Sequence, residues 1–493
     1  MAYLSIDIGT STVKAGLISE DGRLIGSARR SVMLSHGDGP NEHESDPADW
    51  ILAVSQTLSE ALRGQERPRA IAISGNGPTL LAVDSQGNPI GKALSWMDRR
   101  AVREAEEVSA LAGKKIDASF YLPKALYLFR SSAEVREKAR YFFSCPEFLL
   151  YFLTGEACTY LPDKGYLPYI WSPEFIKGVG LPQALFPPFA SPGSLVGKTR
   201  EGLFEGFSLP EGVPAAAGFP DFLASLVGSG VIHPGLVGDR GGTSEAINIC
   251  AGQPFPQREL LSLPHAITGL WNISGGLSTA GKALEWFARC GGYSGLGADS
   301  LFAEAQRSPP GARGAIFLPY LAGERAPLWD SNRRGAFFGL SLTQGREDLA
   351  RAACESLCFG LKLPLEIAKK EGFALLGVRA SGATARNDFL CALKADILGL
   401  PLEVPAVADS ELMGDACAAA FALGDCSSLA EASAALVRIA ARFEPDRRFI
   451  ARYSERFELF KEALAALGPI DAKAAGFAEA AATASAAVDI VKE

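Results

Sequence analysis

YLSIDIGTSTVKAGLIS, residues 3–19, is echoed far down the chain by GDRGGTSEAINIC, residues 238–250. Each stretch sets an acidic residue before Gly-Thr-Ser and follows it with alternating apolar residues. In the first, Leu4, Ile6 and Ile8 share one face while Ser5 and Asp7 share the other, the period of a half-buried strand. Gly9-Thr10-Ser11 is turn chemistry, Val13, Ala15 and Leu17 resume the alternation, and Asp21-Gly22 marks a second hairpin turn. The expected N-terminus is a three-stranded antiparallel meander. In the second, Glu245, Ile247 and Ile249 alternate with Ala246 and Asn248.

A repeat at this separation calls for two domains, and 493 residues exceed the roughly 250–300 at which single cores stop growing. The boundary is expected near Gly242 to Glu245, giving domains over 1–243 and 244–467, with an Ala-rich helical tail over 468–493. Between the two echoes, SDPADW reads as a helix start with Asp46 as N-cap and Pro47 at the first helical position. RAIAISG and TLLAVD read as strands, PEFLLYFLTGE as a helix closed by Gly155, and GVPAAAGFPDFLASLVGSG as strand, turn and a helix beginning just after Asp221. Further on come a long helix from about Gly345 to Lys370, the strand LLGVRASG and a helix from Asn387. Strands followed by helices give an α/β fold class.

The net charge of −8 leaves no broad basic surface, which argues against nucleic acid or an acidic membrane as partner. Nine cysteines without a C-x-x-C pair and four dispersed histidines give no zinc pattern. Cys354 and Cys358, one helical turn apart, read as helix-face packing. With no basic-then-apolar leader before Tyr3, the expected location is a reducing cytoplasm. The uncharged stretch from Phe222 to Gly238 is too short to span a bilayer and reads as core.

A Gly-Thr-Ser turn between strands exposes consecutive backbone N–H groups, adds hydroxyl donors and cradles phosphate oxygens. One such turn alone reads as a hairpin. The duplication, the adjacent acids and the strand context shift the reading to a polyphosphate gripped from two domains. A carboxylate beside phosphates needs an intervening cation, so Asp7 reads as the holder of Mg²⁺ through water, with turn-capping as the alternative and the same alternative for Asp239. Lys14 reads either as added positive charge at the first cradle or as a solvated strand lysine. A third turn, ASGATARND, lies between strand and helix, where an adenine or ribose would fit. GSLVGKT is one residue short of a P-loop, and no strand-to-helix G-x-G-x-x-G exists.

These residues resemble the FGGY carbohydrate kinases of the actin and hexokinase ATPase superfamily, with a xylulokinase-like branch nearest. The likeness runs through IDIGTSTVKAGLI, WMDRRA, FLLYFLTGE, AGFPDFLASLVGSGVIHPG and GGTSEA. It continues in LPYLAGERAPLWDSNRRGAFFGLSLTQGREDLARAACESLCFGLK, ASGATARNDFLCALKADILGLPL and ELMGDACAAAFALG. The resemblance implies two RNase H-like domains around a central cleft whose closure expels water, with ATP gripped by both and a sugar or polyol held mainly by the first. It implies Asp221 as general base. It implies Gly9, Thr10, Ser11, Lys14, Gly242 and Thr243 at the phosphates, and Gly382, Ala383 and Asn387 at the adenosine. Asn76, Gly77, Trp96, Asp98, Asp221 and Phe222 fall at the acceptor, with core packing the equal alternative for Trp96 and an N-cap the alternative for Asp221.

The acceptor loop departs from the xylulokinases, which carry Gln-Met-His-Gly where this chain has SGNGPTLLAVD. Gly77 and Pro78 occupy the places of the Met and His, and Phe222 follows Asp221 where Asn or Gln is usual. The expectation is therefore ATP- and Mg²⁺-dependent phosphorylation of a ketopentose such as xylulose. The alternatives are another ketose, a polyol such as glycerol or erythritol, or a non-catalytic sugar-responsive binding protein. A homodimer is the expected assembly.

Overall fold

The computed structural model describes residues 1–490 apart from 38, 40, 205, 208 and 293–296. Two compact units form. One comprises Met1–Ile232, Pro264–Gly269 and Asp409–Arg438; the other comprises His233–Leu263, Leu270–Ala408 and Ile439–Glu493.

The first unit is built on a six-stranded sheet of β1 (Ala2–Ile8), β2 (Thr12–Ser19), β3 (Leu24–Ser31), β4 (Ile71–Gly75), β5 (Leu195–Lys198) and β6 (Pro214–Pro220). The spatial order is β3-β2-β1-β4-β6-β5. The first three strands are the expected antiparallel meander. β4 and β6 then join in parallel, and β5 closes the edge antiparallel. β1 is buried along its whole length, so the half-buried alternation expected for it is corrected. Its polar face is covered by the Ser410–Ala422 helix, which returns to this unit from near the C-terminus. That helix meets the Asp221–Gly228 helix backbone to backbone. A Cβ on Gly228 would lie 1.9 Å from Ser410 O, and one on Gly414 would lie 2.0 Å from Ala224 O.

The second unit holds a seven-stranded sheet of β7 (Leu236–Gly241), β8 (Glu245–Ala251), β9 (Leu261–Pro264), β10 (Trp271–Leu277), β11 (Gly377–Gly382), β12 (Leu402–Pro405) and β13 (Ile439–Phe443). Its order is β9-β10-β8-β7-β11-β12-β13. From β10 to β13 the sequence of antiparallel, antiparallel, parallel, parallel and antiparallel pairings repeats that from β3 to β5 in the first unit. The short sequence echo is thus the visible part of a repeated sheet.

The first crossing of the chain lies at Ile232–His233, upstream of the expected Gly242–Glu245. β7 and β8 form one hairpin, and a hairpin shares its hydrogen bonds within a single sheet. The Ala-rich helical tail expected over 468–493 is the end of one continuous helix from Arg447 to Ile490. Tyr453, Phe457, Phe460 and Leu464 bury its first half, and Arg333 holds it further on through Leu464 O at 2.6 Å and Asp471 at 3.7 Å.

Asp46 caps its helix by accepting from the Ala48 N–H at 2.9 Å, and Gly155 closes the Cys145–Thr154 helix at φ 80°. Cys354 and Cys358 are buried on the Arg346–Lys370 helix, as packing requires. Among the described residues no helix is long and apolar enough to cross a membrane.

Candidate active site

Three parallel strands of the first unit end side by side, with Ile8 opposite Gly75 and Gly75 opposite Pro220. Chain segments leaving the carboxyl ends of adjacent parallel strands form a natural ligand crevice. Here they are the Gly9–Ser11 turn, the Asn76–Thr79 loop and the start of the Asp221–Gly228 helix.

The first turn is closed by the Gly9 N–H donating to Thr12 O at 3.0 Å. Thr10 Oγ1 accepts the Trp96 indole N–H at 2.8 Å. Asp7 is buried just before the turn. Ser74 Oγ lies 3.1 Å from Asp7 Oδ1 and 2.8 Å from Asp415 Oδ2, and a single hydroxyl proton serves only one of them. Burial pushes the Asp415 carboxyl well above the usual carboxylate range. The Lys14 ammonium faces three carboxylates, Asp7 at 3.7 Å, Asp409 at 3.3 Å and Glu411 at 3.4 Å. Lys14 is therefore ion-paired and not a solvated strand lysine.

Among the described residues no group of three or more His, Cys, Asp or Glu side chains forms a ready-made metal cage. Mg²⁺ does not ask for one, since it keeps most of its water and takes one or two carboxylates plus phosphate oxygens. Acid exceeds base around Asp7 even after Arg29 pairs with Asp409 at 2.8 Å, so the residues present fit a hydrated divalent cation.

Asp221 is the first residue of its helix and not its cap, which is Pro220. In place of the expected turn before it, β6 runs on to Pro220 with a break in register between Ala217 and Pro220. Asp221 Oδ1 accepts the Phe222 N–H at 2.7 Å.

Asn76 is spent internally: its Nδ2 donates to Ile8 O at 2.9 Å and its Oδ1 accepts the Thr79 hydroxyl. Gly77 lies directly under the Tyr121 hydroxyl. Asp98 has no exposed side-chain surface. It accepts the His43 N–H at 2.9 Å and pairs with Arg100 at 2.8 Å, so it stiffens the segment carrying Trp96. Lys124, buried completely, donates to Pro78 O at 2.7 Å and to Ser95 O, tying the two acceptor-side loops together.

In the second unit Gly241 and Gly382 are paired in register at the ends of β7 and β11. This brings the Gly242–Ser244 turn beside Gly382 and Ala383, whose N–H donates to Gly241 O at 2.8 Å. Gly382 has φ 79°, and a Cβ there would lie 2.2 Å from Gly241 O. Asn387 caps its helix by accepting from the Leu390 N–H at 3.1 Å.

Asp239 is not a turn cap. It is buried at 2.6 Å from Lys394, which also bonds Glu245. Burial pushes Asp239 up. It acts the same way on Glu245, but there the Lys394 charge prevails and holds the carboxyl below the usual range. Trp329 is half exposed, its indole N–H directed to Arg258 O and Glu259 O.

Lys124, Lys394 and Asp415 are not singled out in the sequence reading. Each does leave a signal, a charge set among apolar and small residues of a helical stretch: YLPKALYLF, DFLCALKADIL and ELMGDACAAA.

Two sheets of this order, each with a Gly-Thr-Ser turn at the same strand junction, have the actin-like ATPase architecture. The chain belongs to the FGGY family of carbohydrate kinases, whose N-terminal domain matches residues 2–228 and whose C-terminal domain matches residues 240–423. A xylulose kinase of Staphylococcus epidermidis is 26% identical over 479 residues, covering 93% of this chain and 95% of that protein. A glycerol kinase of Stenotrophomonas maltophilia is 28% identical over 497 residues, covering 94% and 97%. The solved "xyloylose kinase" of Brucella ovis superposes with a TM-score of 0.81 at 27% identity, covering 95% of this chain and 100% of that one.

Proposed function

We propose that this chain transfers the γ-phosphoryl group of ATP to a sugar hydroxyl, with a ketopentose such as xylulose as first candidate and Asp221 as general base. The observation that carries the reading is the position of Asp221 at the end of β6, beside the ends of β4 and β1 where Gly77 and the Gly9–Ser11 turn emerge. Asp221 accepts the proton of the acceptor hydroxyl as its oxygen forms the new bond to the γ-phosphorus. The bond from phosphorus to the bridging oxygen breaks and ADP leaves.

The amides and hydroxyls of Gly9, Thr10 and Ser11, with those of Gly242 and Thr243, bind the phosphates. Gly382, Ala383 and Asn387 line the adenosine. Asp7 holds Mg²⁺ through water, and Lys14 limits the surplus acid around it. Mg²⁺, when bound, supplies charge neutralisation at the phosphate oxygens. Trp96 and Phe222 wall the acceptor, while Asn76 and Asp98 keep its loops in place. Nine free thiols favour a reducing cytoplasm as the working compartment.

A polyol acceptor is the second reading. It is favoured by Gly77-Pro78, which offers no side-chain donor to a ketose carbonyl, and by the glycerol kinase among the relatives. ADP release measured with D-xylulose, D-ribulose, glycerol and erythritol separates the two. Turnover of a ketopentose above the polyols supports the first, the reverse order supports the second, and ADP release indifferent to every acceptor removes both.

A further inference from the structure

Gly77 and Pro78 leave the acceptor loop without a side chain able to hold a hydroxyl. The space is nevertheless filled: a Cβ built on Gly77 would lie 2.5 Å from Tyr121 Oη and 3.7 Å from Tyr121 Cζ. Tyr121 opens the Tyr121–Ser131 helix, and its ring is held edge-on by buried Trp171, centroids 6.0 Å apart at 82°. Lys124, one turn along the same helix, fixes it to Pro78 O and Ser95 O. The ring is thus rigidly placed over the loop.

Among the described residues the Tyr121 hydroxyl has no hydrogen-bond partner, while Glu147, Cys145 and Asp221 lie within its electrostatic reach. A polar atom held this firmly and left uncommitted beside the proposed base has a ligand-binding geometry.

We propose that Tyr121 is the acceptor-specificity residue of this chain, its O–H standing in for the side chain that Gly77 lacks and hydrogen-bonding a hydroxyl of an uncharged polyhydroxy acceptor. The inference rests on the sugar-kinase reading. Burial and the surrounding acids raise the phenol well above its ordinary range, so it stays a donor at working pH. An uncharged acceptor follows from the neighbouring charges. The acids Asp221 and Glu147 are close, and the nearby cations are committed, Lys124 to backbone carbonyls and Arg100 to Asp98 and Glu44. An aldonate would meet acid without a free counter-charge.

The test is a kinetic cycle on the full chain with D-xylulose, D-ribulose, glycerol, erythritol and D-gluconate. Tyr121→Phe keeps the ring and removes the hydroxyl. It is expected to raise KM for the best-used acceptor about tenfold or more, leaving KM for ATP and kcat within about twofold. Gly77→Ala, which pushes a methyl against Oη, is expected to raise the same KM in the native background and to do so much less in the Tyr121→Phe background. An unchanged KM in Tyr121→Phe, additive effects in the double variant, or preference for D-gluconate overturns the inference while the kinase reading stands. No turnover of any of the five by the native chain overturns both.

Discussion

The Trp96 indole N–H donates to Thr10 Oγ1 at 2.8 Å, so the segment that walls the proposed acceptor pocket is bonded to the turn proposed to hold the phosphates. Trp96 is only partly buried and its backbone N–H is itself held by Thr79 Oγ1 at 3.2 Å. The indole therefore spans two loops whose ligands must be aligned for in-line transfer.

Trp96→Phe keeps most of the ring and loses this bond. We expect KM for ATP and for the acceptor to rise together, by about threefold to tenfold each, the worth of one net hydrogen bond. Steady-state kinetics with both substrates varied checks this, and a change confined to one substrate would reduce Trp96 to packing.

Asp221→Asn preserves shape and removes the base. Turnover should fall by about 10²–10⁴ while nucleotide affinity, read by titration, stays within about twofold. Retained turnover would take Asp221 out of the chemistry.

Burial pushes the Lys124 ammonium down from 10.5 to about 7, and Asp98 offsets part of that. Arg99, Arg100 and Asp117 are the other charges around it. Below pH 7 the folded and unfolded chains both bind this proton. Between about pH 7 and 10.5 the unfolded chain binds more, so this group adds stability as pH rises. A neutral amine also has two N–H groups, matching Pro78 O and Ser95 O. Denaturant midpoints measured from pH 6 to 10 should show that contribution in the native chain and lack it in Lys124→Met.

Lys394→Met leaves Asp239 and Glu245 buried without their cation. Breaking such a group typically costs about 3–5 kcal/mol. A midpoint shift of that size, partly recovered when Asp239→Asn is added, is the expected outcome of urea titration. A shift under about 1 kcal/mol would show that the site relaxes or hydrates.

Much of this was legible in the residues. The strand alternation and Gly-Thr-Ser turns gave both hairpins, because turn chemistry and period-2 patterning are local. Asp46 and Gly155 were readable as caps for the same reason. Asp221 was placed at a strand-to-helix junction, but residue type alone could not tell a cap from the first helical position one residue on. The burial of Ser5 and Asp7 depends on a helix more than 400 residues away in sequence, and no window around β1 contains that information. Asp98 reads like any exposed loop acid until Arg100 and the His43 amide close around it. Tyr121 acquires meaning only from the missing Cβ of Gly77, a through-space relation.

The late return of Asp409–Arg438 to the first unit also bears on biosynthesis. As the chain leaves the ribosome, the opening sheet emerges early, yet one of its faces stays bare until Asp409–Arg438 has been made, about 400 residues later. The order of translation and the order of completed burial are therefore inverted. The nascent N-terminal half carries an open sheet face through most of its synthesis and closes it only when Asp409–Arg438 arrives.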